Sequence, residues 1–148
     1  MIIRLKHEAE RKDTEILIRY AEMTEELKDL ITLLKSHEIR IKCRQDNEEK
    51  IIPVSELYYI ESVDKKTFLY GKEVIYQSEL RLYQLKEHLE TYGFLQISKS
   101  CILNIHFLVS IKTLPSSRME ATLKNGERLL VNRKYLADIR KALEGDVL

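Results

Sequence analysis

The chain is predicted to be an α+β protein, mainly β, built from layered antiparallel sheets with short helices and preceded by a small N-terminal ββα unit. Three observations lead there. From residue 38 onward, short runs alternate between apolar and polar residues and are punctuated by turn residues, the period-2 pattern of strands with unequal faces. The dipeptide Asn125-Gly126 is a strong short-range hairpin signal. Stretches around Leu27, Leu82 and Leu136 instead repeat their apolar residues at helical spacing.

In chain order, Ile3, Leu5 and His7 alternate with Arg4 and Lys6, a polar connection follows, and Ile16, Ile18 and Tyr20 alternate again. A two-stranded unit is the expectation. Thr24 is a good N-cap, Glu25 and Glu26 fall where the helix dipole favours acids, and Leu27, Leu30, Ile31 and Leu34 give one apolar face. A ββα unit this small cannot bury its strands and helix alone. Residues 1–37 should therefore dock on the rest of the chain, on another subunit, or on both, and act in dimerisation or regulation.

The second part, residues 38–148, opens with Ile39, Ile41 and Cys43 alternating against charged neighbours, then a polar 45–50 segment, then Ile51, Ile52 and Pro53. Runs at 57–63 and 68–70 bracket Asp64-Lys65-Lys66, a hairpin or sharp loop, and 74–76 adds a strand. Ser78 is the expected cap of a helix carrying Leu82, Leu85, Leu89 and Tyr92, with Gly93 closing it. The 102–111 stretch, broken by Asn104 and His106, reads as a strand followed by a short helical turn. A two-residue type I′ turn at Asn125-Gly126 would pair Lys124 with Glu127 and Leu123 with Arg128. Met119, Ala121, Leu123 and Leu130 would then share one face, with Leu129 and Val131 on the other, as in a sheet covered on both sides. Asn132 caps a last helix through Tyr135, Leu136, Ile139 and Leu143.

Composition bounds the function. With 148 residues and 44% hydrophobic side chains, the chain suits one domain with a short addition and a real core. No apolar run approaches the roughly 20 residues of a membrane span, and the start lacks signal-peptide features; a cytoplasmic protein is expected. Cys43 and Cys101 have no metal-ligand spacing and are read as reduced thiols, Cys101 as a buried inert one. The 25 Lys and Arg nearly cancel the 24 Asp and Glu; residues 1–50 hold 11 and 12 of them, leaving 14 and 12. Any surface for a polyanion must arise from local clustering.

Catalysis has little to stand on. The four histidines show no HExxH spacing, and four glycines build no phosphate-cradling loop. Neither a cofactor nor a metal is expected. Binding chemistry is better represented: Arg133 and Lys134 follow the cap Asn132, in the first helical turn where cations are disfavoured by roughly 0.3–1 kcal/mol. Two cations and exposed amides at a helix start make an anion site, and a phosphate backbone is one anion that fits.

Residues 94–104 place Phe94 ahead of Lys99, Ser100, Ile102, Leu103 and Asn104. Together with Ile60-Glu61-Ser62, the helix around Leu82-Tyr83-Gln84-Leu85, the Asn125-Gly126 hairpin and Val131-Asn132-Arg133-Lys134-Tyr135, this order resembles the LytTR family of bacterial DNA-binding output domains over about residues 38–143. The resemblance implies a mostly β layered fold and a cytoplasmic transcription regulator that contacts double-stranded DNA through loops 64–67, 98–100 and 132–134. It assigns Lys65, Lys66 and Thr67, then Ser98, Lys99 and Ser100, then Asn132, Arg133 and Lys134. Arg133 is the candidate for reading guanine with its planar fork; Lys99 is assigned either a base edge or a phosphate, and Lys65 and Lys66 phosphates. Two departures stand out. Ser98 occupies a place where many members have His, which leaves target preference open, and Asn132 replaces the more frequent Ser, another good cap. Asn104 is read as bonding local backbone rather than a base. The 37 residues ahead of the domain are too few for a receiver, so the expected control is through dimerisation, expression level or a partner, and the family suggests a membrane-bound inhibitor protein. A homodimer on repeated half-sites is the expected assembly. The competing reading is a protein-interaction scaffold without DNA contact.

Overall fold

The computed structural model describes residues 1–115 and 118–144; residues 116–117 and 145–148, the last of which close the expected second part, lie outside the described residues. The first helix, α1 (Glu25–Ser36), forms as expected, with the Leu27 amide donating to Thr24 Oγ1 at 3.1 Å and Glu25 and Glu26 in its first turn. Leu27, Leu30, Ile31 and Leu34 are half-buried, packed toward the 3-10 turns Val54–Glu56 and Glu90–Tyr92. The helix thus docks on the second part of its own chain. The two strands expected ahead of it do not form: residues 1–23 hold no strand, and Ile3, Leu5, Ile16 and Tyr20 are exposed. A two-stranded ribbon alone is marginal in water, and among the described residues no strand pairs with this segment.

β1 (Arg40–Gln45) and β2 (Glu48–Pro53) pair antiparallel from Arg40↔Pro53 to Gln45↔Glu48. Asp46 and Asn47 make the turn with φ of 49° and 70°, both left-handed as a type I′ turn requires. The polar 48–50 segment is therefore strand. β3 (Tyr59–Val63), β4 (Lys66–Tyr70) and β5 (Ile75–Ser78) form a meander, joined by β6 (Phe94–Ser98) and β7 (Cys101–Asn104) in the antiparallel order β2-β1-β5-β4-β3-β7-β6. The stretch after Cys101 is a strand and a 3-10 turn, Ile105–Phe107, as read from sequence, and then β8 (Leu108–Thr113). β8 pairs with β9 (Met119–Leu123), which pairs with β10 (Arg128–Val131), giving a second sheet of three strands.

Alternation along the central strands divides the core in two. Ile60, Leu69 and Ile102 face one way, into a cluster with Ile41, Ile52, Leu57 and Phe94 that α2 (Leu82–Leu89) covers with Leu85 and Leu89. Tyr59, Cys101 and Leu103 face the other way, against Met119, Ala121, Leu123 and Val131 of the second sheet and Ile139 of α3 (Leu136–Glu144). Helix, seven-stranded sheet and three-stranded sheet are the layers. α2 starts later than expected: Ser78 Oγ accepts from the Leu80 amide at 3.1 Å, and Arg81 takes the N-cap place, its backbone N–H donating to Gln84 Oε1 at 2.8 Å. Gly93, at φ 89°, closes the segment.

The second sheet corrects the hairpin register. Arg128 pairs with Thr122 and Leu129 with Ala121, one residue from the two-residue-turn pairing. The Gly126 amide donates to the Leu123 carbonyl and the Leu123 amide to the Glu127 carbonyl, each at 2.9 Å. The connection is thus a three-residue loop, and of its two signal residues only Gly126 is left-handed (φ 87°). A one-residue shift exchanges faces: Leu129 and Val131 join Met119, Ala121 and Leu123 at the core, whereas Leu130 is 54% exposed. The sheet is covered on one side there.

Candidate nucleic-acid interface

The turn between β3 and β4 consists of Asp64 and Lys65 at φ of 50° and 64°. Left-handed geometry costs an L-residue about 1–2 kcal/mol, yet it matches the twist of the flanking strands. Arg81 supports the turn by donating from Nη1 to the Lys65 carbonyl at 3.1 Å. Asp64, Lys65 and Lys66 are exposed. Thr67 is not: it is 2% exposed, because alternation after Lys66 turns it to the side that Leu69 faces. That removes Thr67 from the set able to touch a macromolecule.

Between β6 and β7 the register shifts by one residue, Gln96 pairing with Ile102 but Ser98 with Cys101. The bulge at Ile97 re-aims the following side chain and leaves Lys99 and Ser100 as an exposed two-residue turn, with Ser98 half-buried. The Ser100 amide leans on Ser98 Oγ at 3.4 Å. Ser98 is thus partly occupied in shaping the turn.

The third turn follows β10. Asn132 Oδ1 accepts from the Lys134 amide at 2.9 Å, and its carbonyl accepts from the Tyr135 amide at 3.0 Å. Asn132 is a cap, as sequence suggests, but of the 3-10 turn Arg133–Tyr135 that precedes α3 rather than of the helix, which starts only at Leu136; it consumes two of the amides an anion would use, so any anion here depends on side-chain charge. Asn132, Arg133 and Lys134 are exposed, and Lys134 Nζ lies 5.6 Å from the centre of the Tyr135 ring, within cation–π range.

Backbone hydrogen bonds join the three turns at one edge. The Asn132 amide donates to the Ile97 carbonyl at 2.7 Å, one residue from Ser98, and the Ser62 amide donates to the Ser100 carbonyl at 2.8 Å, two residues from Asp64. Five cations, Lys65, Lys66, Lys99, Arg133 and Lys134, thus accompany a single acid, Asp64. Among the described residues none of the five is in an ion pair. The near-neutral chain carries its excess charge locally.

Sequence reading missed Arg81 and the Ile97 bulge; an arginine at the position before a helix was the available signal for the first, and the bulge had none. Asn104 is 1% exposed: its Oδ1 accepts from the nearby His106 amide at 3.1 Å, and its Nδ2 donates to the distant Leu57 carbonyl at 2.8 Å. It is a structural clamp. Burial, with Glu61 adding, pushes the Cys101 thiol up to about 12, so it stays protonated and inert at neutral pH. Burial also lowers the His106 pKa, opposed by Asp29 of α1, and its buried Nε2 finds no hydrogen-bond partner among the described residues. Among the described residues no group of three or more His, Cys, Asp or Glu is placed to hold a metal, and no helix is long and apolar enough to cross a membrane.

A layered β domain that offers cations from turns, with no helix-turn-helix among the described residues, is a module suited to engaging a polyanion through its loops. Comparison with known proteins makes the class specific. The family model for the LytTr DNA-binding domain matches residues 47–144, and the chain belongs to that family. It is 29% identical over 98 residues to uncharacterized HTH-type transcriptional regulators of Staphylococcus aureus strains NCTC 8325 and COL, covering 66% of this chain and 66% of each relative; the chain therefore matches about two thirds of their length. A solved LytTr DNA-binding domain of a Bacillus cereus protein, described as a methyl-accepting/DNA response regulator, superposes with a TM-score of 0.64 at 25% identity, over 70% of this chain and 95% of the other.

Proposed function

We propose that this protein regulates transcription by binding double-stranded DNA sequence-specifically through the turns at 64–66, 98–100 and 132–134. The observation that carries the reading is the hydrogen-bonded union of those turns at one edge, with cations that form no ion pair among the described residues. Arg133 reads guanine, since its fork bonds O6 and N7 together; Lys65, Lys66 and Lys134 take phosphates, and Lys99 takes a base edge or a phosphate. Ser98 and Asn132 shape the turns. A homodimer, with the segment 1–36 as its contact, places two domains on repeated half-sites and multiplies affinity; a membrane-bound inhibitor protein is a further proposed partner. Residues 1–23 leave apolar side chains exposed, which motivates the dimer. Removing 1–36 and finding an unchanged dimer by light scattering would defeat that part.

The test is selection from random duplexes with the wild type and with Arg133→Glu and Lys99→Glu. The expected result is a repeated short motif whose binding by Arg133→Glu falls about 10-fold or more, the scale of a lost bidentate base contact. No enrichment at low salt, where phosphate attraction is greatest, overturns the reading. A second reading, a protein-interaction scaffold, draws on the net charge of only +1; it expects assembly to survive Arg133→Glu and no duplex to be selected.

A further inference from the structure

The three turns do not exhaust the cationic surface beside them. Between α2 and the Lys99-Ser100 turn lies an open cleft of about 610 Å³, lined by Arg81 at the helix N-cap, by Tyr83 and Lys86 of the helix, and by Ser62, Gln96, Lys99 and Ser100 from the sheet. No carboxylate lines it. Among the described residues Arg81, Lys86 and Lys99 have no acidic partner within ion-pair distance. Tyr83 is 65% exposed, on a helix whose opposite face, Leu85 and Leu89, is buried. The cleft adjoins both turns: Lys99 and Ser100 belong to one, and Arg81 is hydrogen-bonded to the carbonyl of Lys65 in the other.

We propose that this cleft is a second contact strip for the nucleic-acid backbone, in which Arg81 at the N-cap of α2 and Lys86 within it take phosphates flanking the bases reached by the turns. The inference rests on the DNA-binding reading and adds to it a helix-borne, sequence-independent part of the interface. Three cations around one cleft, with only uncharged hydroxyl, amide and aliphatic side chains (Leu82, Ile102) between them, match a chain of phosphates, each of which has several acceptor oxygens and no donor. Tyr83 offers an exposed ring against the sugar path. Lys86 carries the discriminating role. Arg81 also holds the Lys65 turn, so its loss acts in two ways, whereas Lys86 makes no hydrogen bond to either turn among the described residues.

The experiment measures affinity of the full chain for its selected duplex, and for the same duplex with the motif scrambled, across a salt series, for wild type, Lys86→Gln, Lys86→Arg and Arg133→Glu. Each neutralised phosphate contributes about 0.9 to the slope of log affinity against log salt. Lys86→Gln is expected to reduce that slope by about 0.9 and to weaken both duplexes by a similar factor, roughly 3- to 10-fold, while Lys86→Arg restores both. Arg133→Glu should instead cut preference for the motif. An unaltered slope and affinity in Lys86→Gln, with wild type still selecting its motif, overturns the strip and leaves the turns intact as the interface. Loss of motif preference in Lys86→Gln also overturns it, because a backbone contact carries no sequence choice. Wild type binding neither duplex would overturn the DNA reading, and the strip with it.

Discussion

Lys65 occupies a backbone conformation that glycine would hold at lower cost. With φ at 64°, next to Asp64 at 50°, it bears strain of the order of 1 kcal/mol for the sake of a side chain at the apex of the turn. Lys65→Gly should therefore stabilise the folded chain by about 0.5–1 kcal/mol, read as a higher urea midpoint at unchanged slope, while weakening DNA binding and lowering its salt slope by about 0.9. A variant that gains stability without losing affinity would place Lys65 outside the interface. Asn104 shows the opposite economy, its amide clamped at both ends inside the core. Sequence placed Lys65 in a turn and kept Asn104 away from DNA because both readings rest on local backbone chemistry. It placed Thr67 wrongly because one residue of alternation decides between solvent and a 2% exposed position.

At the scale of elements, the same parity governs the second sheet. The Asn125-Gly126 signal identifies a hairpin, but not whether two or three residues form its loop, and that choice sends Leu129 to the core and Leu130 to solvent. Leu129→Asp should cost about 2–4 kcal/mol by putting a carboxylate into the second cluster, whereas Leu130→Asp should stay within about 0.5 kcal/mol of wild type. Equal losses in chemical denaturation would restore the two-residue register. The strands of the central sheet were legible because Tyr59 and Ile60, and Ile102 and Leu103, alternate between two apolar cores. The N-terminal strands were not a safe inference from the same alternation, since a pattern that fits a strand does not supply its neighbour. Contacts between turns, such as Asn132 with Ile97, depend on a bulge that leaves no mark in composition or spacing.

At the scale of the whole molecule, the layers decide where the folding unit begins. The family match starts at residue 47, inside the β1–β2 turn, yet β1 is paired with β2 along its length and meets β5 at Arg44↔Gln77. β1 also contributes Ile41 and Cys43, 7% and 2% exposed, to the cluster beneath α2. A shortened chain of residues 47–148 loses these side chains and uncovers Ile52 on β2. Burial of each large apolar side chain is worth about 1.5–3 kcal/mol, so the loss should exceed about 4 kcal/mol, a large part of the 5–15 kcal/mol typical of a domain. A chain of residues 38–148 retains the whole central sheet and all three turns. It should unfold cooperatively and bind one half-site nearly as well as the full chain, losing only what α1 and the preceding segment contribute. Urea unfolding followed by circular dichroism separates the two shortened chains: residues 47–148 should show a broad, low-midpoint transition or none, and residues 38–148 a single steep one. A cooperative, stable chain from residue 47 would mean that the remaining strands hold the first core without β1, and that the edge pairing with β2 and β5 is ornament on a smaller folding unit.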